Sequence, residues 1–267
     1  MKVTEQPSHF DGLETMSTRD LLEGINAEDR TIADVVRSVI PQVELLVDGI
    51  VERMRQGGRV FYAGSGTSGR LGVLDSSEIP PTFGAEPGLF IGVISGGDGA
   101  LRSSIEGAED DPSGAWRDLA PYSPQAMDTL IGIAASGSTP YAVGAIKEAR
   151  RHGLLTACIT CNPGAVVAEE AEIPIVAVVG PEFVTGSTRM KAGTATKMIL
   201  NMVSTSVMIR LGHVRGNKMI DMKLANNKLM DRGTRMLMEE AGITDYEKAK
   251  ELLLKYGSVR SAADSLK

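Results

Sequence analysis

Two cysteines in 267 residues are too few for a disulfide framework, and the chain reads as one made for a reducing cytoplasm. One tryptophan and 4% aromatic residues leave little from which to build a base-stacking platform. A positive surplus is missing too. The 28 Lys and Arg against 34 Asp and Glu give a net charge of −6, which speaks against a nucleic-acid partner. No run of eighteen apolar residues occurs, and the opening MKVTEQPSHFDGLETM lacks the apolar stretch of an export signal. Neither a membrane span nor a signal peptide is expected. Repeats of solenoid length are missing as well. The three histidines (His9, His152, His213) are scattered and no H-E-x-x-H occurs, so no metal site is expected.

What remains is an ordinary globular composition, 42% hydrophobic and 23% charged, long enough to bury one sizeable core. Residues 1–17 read as a polar arm. Helical periodicity follows Ser17 and resumes near Asp29, with Pro41 expected to divide or kink it. From Arg59 short apolar runs alternate with helical patterns: 59–63, 89–94, 129–135, 154–159 and 174–179. Runs without internal polar alternation are buried on both faces, which means parallel strands covered by helices. The expected fold is therefore α/β, a doubly wound five-stranded parallel sheet with N-terminal helices and a short C-terminal helical appendage. The expected organisation is an N-terminal arm and helices over 1–55, the sheet domain over 56–220, and the helical region over 221–267. A long helix is predicted from Ser187 to Leu211. Its apolar residues nearly encircle it, and the simplest cover for the excess is a second copy of the chain, so a homodimer is expected.

Ligands of open parallel sheets bind outside the carboxyl ends of the strands. Three loops there are rich in hydroxyls and glycines: Ser65-Gly66-Thr67-Ser68 after the first strand, Ser136-Gly137-Ser138-Thr139 after the third, and Ser187-Thr188-Arg189 with Lys191 after the fifth. Small residues let the backbone approach an anion, and helix N-termini donate to it. The first loop spells G-x-G-x-x-G, but the second strand ends in Ser95-Gly96-Gly97, not the acid a dinucleotide site requires. It also fails as a P-loop, because Arg70-Leu71 stands where Lys-Ser/Thr would be. A sugar monophosphate fits the pattern best, and any one loop taken alone is equally a plain strand–turn–helix.

Two carboxylates complete the candidates. Glu78 precedes Pro80-Pro81, which are expected to stop its helix and leave the carboxylate near the negative helix end, a setting suited to a general acid. Glu109 lies in Glu106-Gly107-Ala108-Glu109-Asp110-Asp111, where four acids in six residues equally describe a solvated surface. Cys158-Ile159-Thr160-Cys161 has no second pair for zinc and reads as structural.

These stretches carry a resemblance. Gly64–Arg70, Glu78–Thr82, Glu106–Asp110, Ser136–Pro140 and Thr185–Thr196 resemble the N-acetylmuramic acid 6-phosphate etherases, as do Thr4-Glu5-Gln6, Met16-Ser17 and Asn26-x-Glu28-Asp29. The resemblance runs from residue 4 to about 240. It implies the sugar isomerase (SIS) fold and cleavage of a D-lactyl ether by elimination and hydration. Glu78 would be the acid, Glu109 the base, with no metal or organic cofactor, and the enzyme would serve cell-wall sugar recycling. Two alternatives share the fold: a non-catalytic sugar-phosphate sensor like the glucokinase regulatory protein, and an aldose–ketose isomerase.

Overall fold

The computed structural model describes residues 2–224 and 226–266. Three helices come first: α1 (Thr18–Asp29), α2 (Ile32–Ser38) and α3 (Ile40–Arg55). Ser17 caps α1 by accepting from the Asp20 N–H, and Pro41 sits in the first turn of α3, where its missing N–H costs nothing. Then follow β1 (Val60–Gly64), α4 (Gly66–Phe83), β2 (Phe90–Ile94), α5 (Gly114–Leu119), β3 (Thr129–Ile133), α6 (Pro140–Arg151), β4 (Leu155–Thr160), α7 (Val166–Glu170), β5 (Ile173–Val176) and α8 (Lys191–Arg210). The tail carries α9 (Asn227–Ala241), α10 (Tyr246–Tyr256) and α11 (Val259–Asp264), which close on a small core of their own around Leu237, Leu253 and Val259.

All five strands pair in parallel in the order β2-β1-β3-β4-β5. Side chains alternate across the sheet, as a period of two requires. Val60, Tyr62, Ile131 and Ile159 join α2, α3, α4 and α8 in one core, whereas Phe61, Ala63, Leu130 and Cys158 join α5, α6 and α7 in the other. The register pairs Gly64 with both Ile94 and Ile133, and Ile133 with Ile159, so the loops after the strands leave from one edge. In this order the chain reverses direction between β1 and β3, and the crevice there is where an open α/β sheet takes its ligand.

Two expectations need correction. The long helix begins at Lys191, not Ser187, because Glu182 caps it: its carboxylate accepts from the Lys191 N–H at 2.8 Å and the Ala192 N–H at 3.0 Å. Pro80 and Pro81 do not stop α4, which continues to Phe83 and ends at Gly84 in the left-handed region, with φ 63°. Ile79 and Phe83, both buried in the core, hold the helix through the prolines. Much of the apolar surface of α8 is covered within the chain. Ala192, Ala195, Ile199, Val203 and Val207 are fully buried in the same core as α2 and α3.

Candidate active site at the β1/β3 crevice

The first and second hydroxyl loops flank the crevice and face one another. A cavity of about 180 Å³ is lined by Ser65, Gly66, Thr67 and Ser68 from the first loop, and by Ser136 and Thr139 from the second. Thr188, Gly193 and Thr196 close it from the side of α8, and Glu109 stands at its rim. An adjoining cavity, also about 180 Å³, shares Gly66 and Glu109 and continues under the loop 104–107.

The chemistry of the lining follows from local structure. Gly66 opens α4 at φ 53°, and a side chain there would meet nothing, so the conformation itself is what demands glycine. The first N–H groups of α4 have no intrahelical acceptors, and no side chain caps them, which leaves donors for an anion. The Ser65 hydroxyl is buried without a hydrogen-bond partner, an orphan that a bound acceptor would satisfy. Gly137 combines φ 72° with no room: a Cβ would lie 2.2 Å from the Ala165 Cβ and 2.7 Å from the Thr160 Oγ1. The second loop is thereby held against α7.

Not every candidate joins this cavity. Gly137 and Ser138 line a neighbouring one of about 300 Å³, together with Lys2, Asn162 and Ala165. Ser187 and Arg189 are outside the lining of both, and Arg189 is exposed. Lys191 is turned away: its side chain is only 4% exposed and its ammonium is bonded to Glu28 of α1. Glu78, exposed on α4, lines a third cavity of about 230 Å³ with Leu71, Leu74, Asp75, Lys197 and Asn201. Asp75, one turn before it, accepts from the Tyr62 hydroxyl at 3.1 Å, Asn201 Nδ2 at 2.8 Å and Ser204 Oγ at 3.1 Å. Burial pushes the Asp75 carboxyl up in pKa against these donors, and the network locks α4 onto α8.

The sequence reading missed Gly193 and Thr196 as lining residues, although the two stand three apart on one face of α8. It also missed Arg70, whose guanidinium donates to the carbonyls of Ala100 at 2.7 Å and Leu101 at 3.1 Å and so holds the strand-2 loop that carries Glu109. Burial raises both thiols, Cys158 and Cys161, to about 12, which makes them inert structural groups.

The sheet order and the crevice define a doubly wound α/β domain, and the comparisons make it an SIS fold. Solved structures agree on the fold. The chain is 16% identical to a phosphoheptose isomerase from Francisella tularensis, with a TM-score of 0.56 over 73% of this chain and 100% of that one. A putative phosphosugar isomerase involved in capsule formation from Bacteroides fragilis gives 23% identity and a TM-score of 0.55 over 72% and 91%. The family model of the glucokinase regulatory protein N-terminal SIS domain matches residues 42–150. Among curated relatives, the N-acetylmuramic acid 6-phosphate etherase of Porphyromonas gingivalis is 61% identical over 100% of this chain and 97% of its own length. That of Bacteroides fragilis is 60% identical over 100% and 95%. The chain belongs to the N-acetylmuramic acid 6-phosphate etherase family.

Proposed function

We propose that the protein cleaves the D-lactyl ether of N-acetylmuramic acid 6-phosphate with water, giving N-acetylglucosamine 6-phosphate and D-lactate, in cytoplasmic amino-sugar breakdown. One observation carries the reading: a carboxylate, Glu109, shares a cavity with six hydroxyl side chains and a helix N-terminus, besides Thr188 of the third loop. Hydroxyls and free N–H groups suit a phosphate, and a carboxylate beside them suits proton abstraction from the attached sugar.

With the sugar open, its C1 aldehyde acidifies the C2 proton. Glu109 takes that proton, the C3–oxygen bond breaks, and an acid protonates the departing lactate oxygen. Water then adds to C3 of the unsaturated aldehyde. Glu78 is the acid in this reading. Twelve residues along α4 from Gly66, at a rise of about 1.5 Å each, place it roughly 18 Å from the phosphate loop. Glu78 and the phosphate loop accordingly line different cavities of one chain. The reading therefore requires a homodimer in which Glu78 of one copy meets the crevice of the other. Leu74, 54% exposed one turn before Glu78, is an apolar side chain that a partner copy would cover there.

The test is release of D-lactate from N-acetylmuramic acid 6-phosphate. Among the described residues no helix is long and apolar enough to cross a membrane, so the assay needs no lipid. Aldose–ketose conversion without lactate would make the protein an isomerase. Tight binding with no turnover would make it a sensor.

A further inference from the structure

Among the described residues, no side-chain cation lines the crevice. A phosphate dianion held only by hydroxyls and N–H groups has no compensating cation, and charge-assisted hydrogen bonds are about twice as strong as neutral ones. The cations that stand nearest in sequence are all engaged elsewhere or outside the lining. Lys191 is bonded to Glu28, the Arg70 guanidinium is spent on two backbone carbonyls, and Arg189 does not line the cavity. Among the described residues lining the crevice and its two neighbouring cavities at the strand ends, the remaining cation is Lys2.

Lys2 is carried there by the N-terminal arm, which is strapped across the carboxyl ends of β3, β4 and β5. Thr4, fully buried, exchanges hydrogen bonds with Asn162. Its N–H donates to Oδ1 at 3.2 Å, and Asn162 Nδ2 donates to the Thr4 hydroxyl at 2.9 Å. The same Nδ2 donates to the Ala135 carbonyl at 2.9 Å, which fixes the strap to the root of the second hydroxyl loop. Farther along, Ser8 donates from its hydroxyl to the Phe183 carbonyl at 2.7 Å and from its N–H to the Thr185 hydroxyl at 2.9 Å. The Phe10 ring packs on Phe183 with centroids 4.7 Å apart. Two residues beyond the buried Thr4 anchor, the Lys2 ammonium is bonded to the Ser138 hydroxyl. That bond uses one of three ammonium donors, and among the described residues no carboxylate pairs with it. Ser136 lines both the Lys2 cavity and the crevice, so the two are neighbours across the second hydroxyl loop.

We propose that Lys2 is a phosphate-binding residue, delivered by the arm to the second hydroxyl loop to supply the positive charge that the crevice itself lacks. The proposal rests on the sugar-phosphate reading of the site. It makes the arm part of the binding machinery. Lys2 would bind the phosphate and take no part in proton transfer.

The experiment compares wild type, Lys2→Met and Lys2→Arg at several ionic strengths, following lactate release. Lys2→Met should raise KM about 10- to 100-fold, with kcat little changed, as expected for loss of one charged contact made equally in ground and transition states. Its KM should also rise less steeply with salt than that of the wild type. Lys2→Arg should recover most of the affinity, and the melting midpoints of all three should coincide. A Lys2→Met KM within about twofold of wild type, with unaltered salt dependence, would overturn the proposal. If the wild type releases no lactate, the proposed etherase activity fails separately. Calorimetric binding of inorganic phosphate and of glucosamine 6-phosphate then decides the role of Lys2: affinities equal in wild type and Lys2→Met would refute it.

Discussion

The ammonium of Lys191 at the start of α8 is bonded to the carboxylate of Glu28 on α1, although its position in the chain is that of an anion-binding cation. Glu28 also accepts from His9 at 3.3 Å. Burial alone would raise the Glu28 pKa, but the hydrogen bonds from Lys191 and His9 outweigh it and hold the carboxyl below its ordinary 4.5. A carboxylate with a depressed folded pKa contributes stability that is complete above its unfolded value and is lost as the pH falls through the folded value. Glu28→Gln should therefore cost about 3 kcal/mol near pH 7, because it leaves the buried Lys191 charge unpaired. Urea denaturation should show the gap between wild type and variant closing below pH 4.5. KM should stay where it is. A rise in KM matching the loss of a phosphate contact would return Lys191 to the binding site.

The two glutamates should separate by isotope exchange. In deuterated water Glu109→Gln should lose exchange of the C2 proton, since the base is gone. Glu78→Gln should lose lactate release more severely than exchange, since C–H abstraction needs no leaving-group acid. Exchange surviving in Glu109→Gln and lost in Glu78→Gln would reverse the assignment.

Phosphate anchoring should appear in KM. Ser68→Ala removes one hydroxyl from the crevice lining and should cost about 1.5–3 kcal/mol, roughly 10- to 150-fold in KM, with kcat little affected. Unphosphorylated N-acetylmuramic acid should be turned over very poorly by the wild type. Comparable turnover of the two sugars would remove the phosphate from the reading of the crevice.

The strands were legible because burial on both faces leaves a signal in the residues themselves, and the switch-point loops followed from strand order. Long-range partners were not. Gly186 and the hydroxyls from 187 read as a helix start, yet the true cap of α8 is the carboxylate of Glu182, well upstream. Asn26-x-Glu28 was visible as part of a resemblance, but its pairing with Lys191 depends on how α1 lies across α8. Prolines 80 and 81 carried the ordinary message of a helix end, and core packing of Ile79 and Phe83 overrode it. The arm looked merely polar. Only the buried exchange between Thr4 and Asn162 ties it to the strand ends beside the second hydroxyl loop.

Glu109 and Glu78 open into different cavities of one chain, and this separation makes a strong prediction about assembly. If each site draws Glu109 from one copy and Glu78 from its partner, the two inactive variants should complement one another. In a dimer of Glu78→Gln with Glu109→Gln, one site receives both substituted residues and the other receives both native ones. Random exchange of equal amounts makes half the dimers mixed, with one working site each, so activity should recover to about a quarter of wild type. Each variant alone should stay inactive at every concentration, and the recovered activity should fall on dilution together with the dimer mass seen by light scattering. A mixture no more active than its components would place both carboxylates in one chain's site. A fully active species near 28.3 kDa would do the same, and either result would require α4 or the loop carrying Glu109 to move before chemistry.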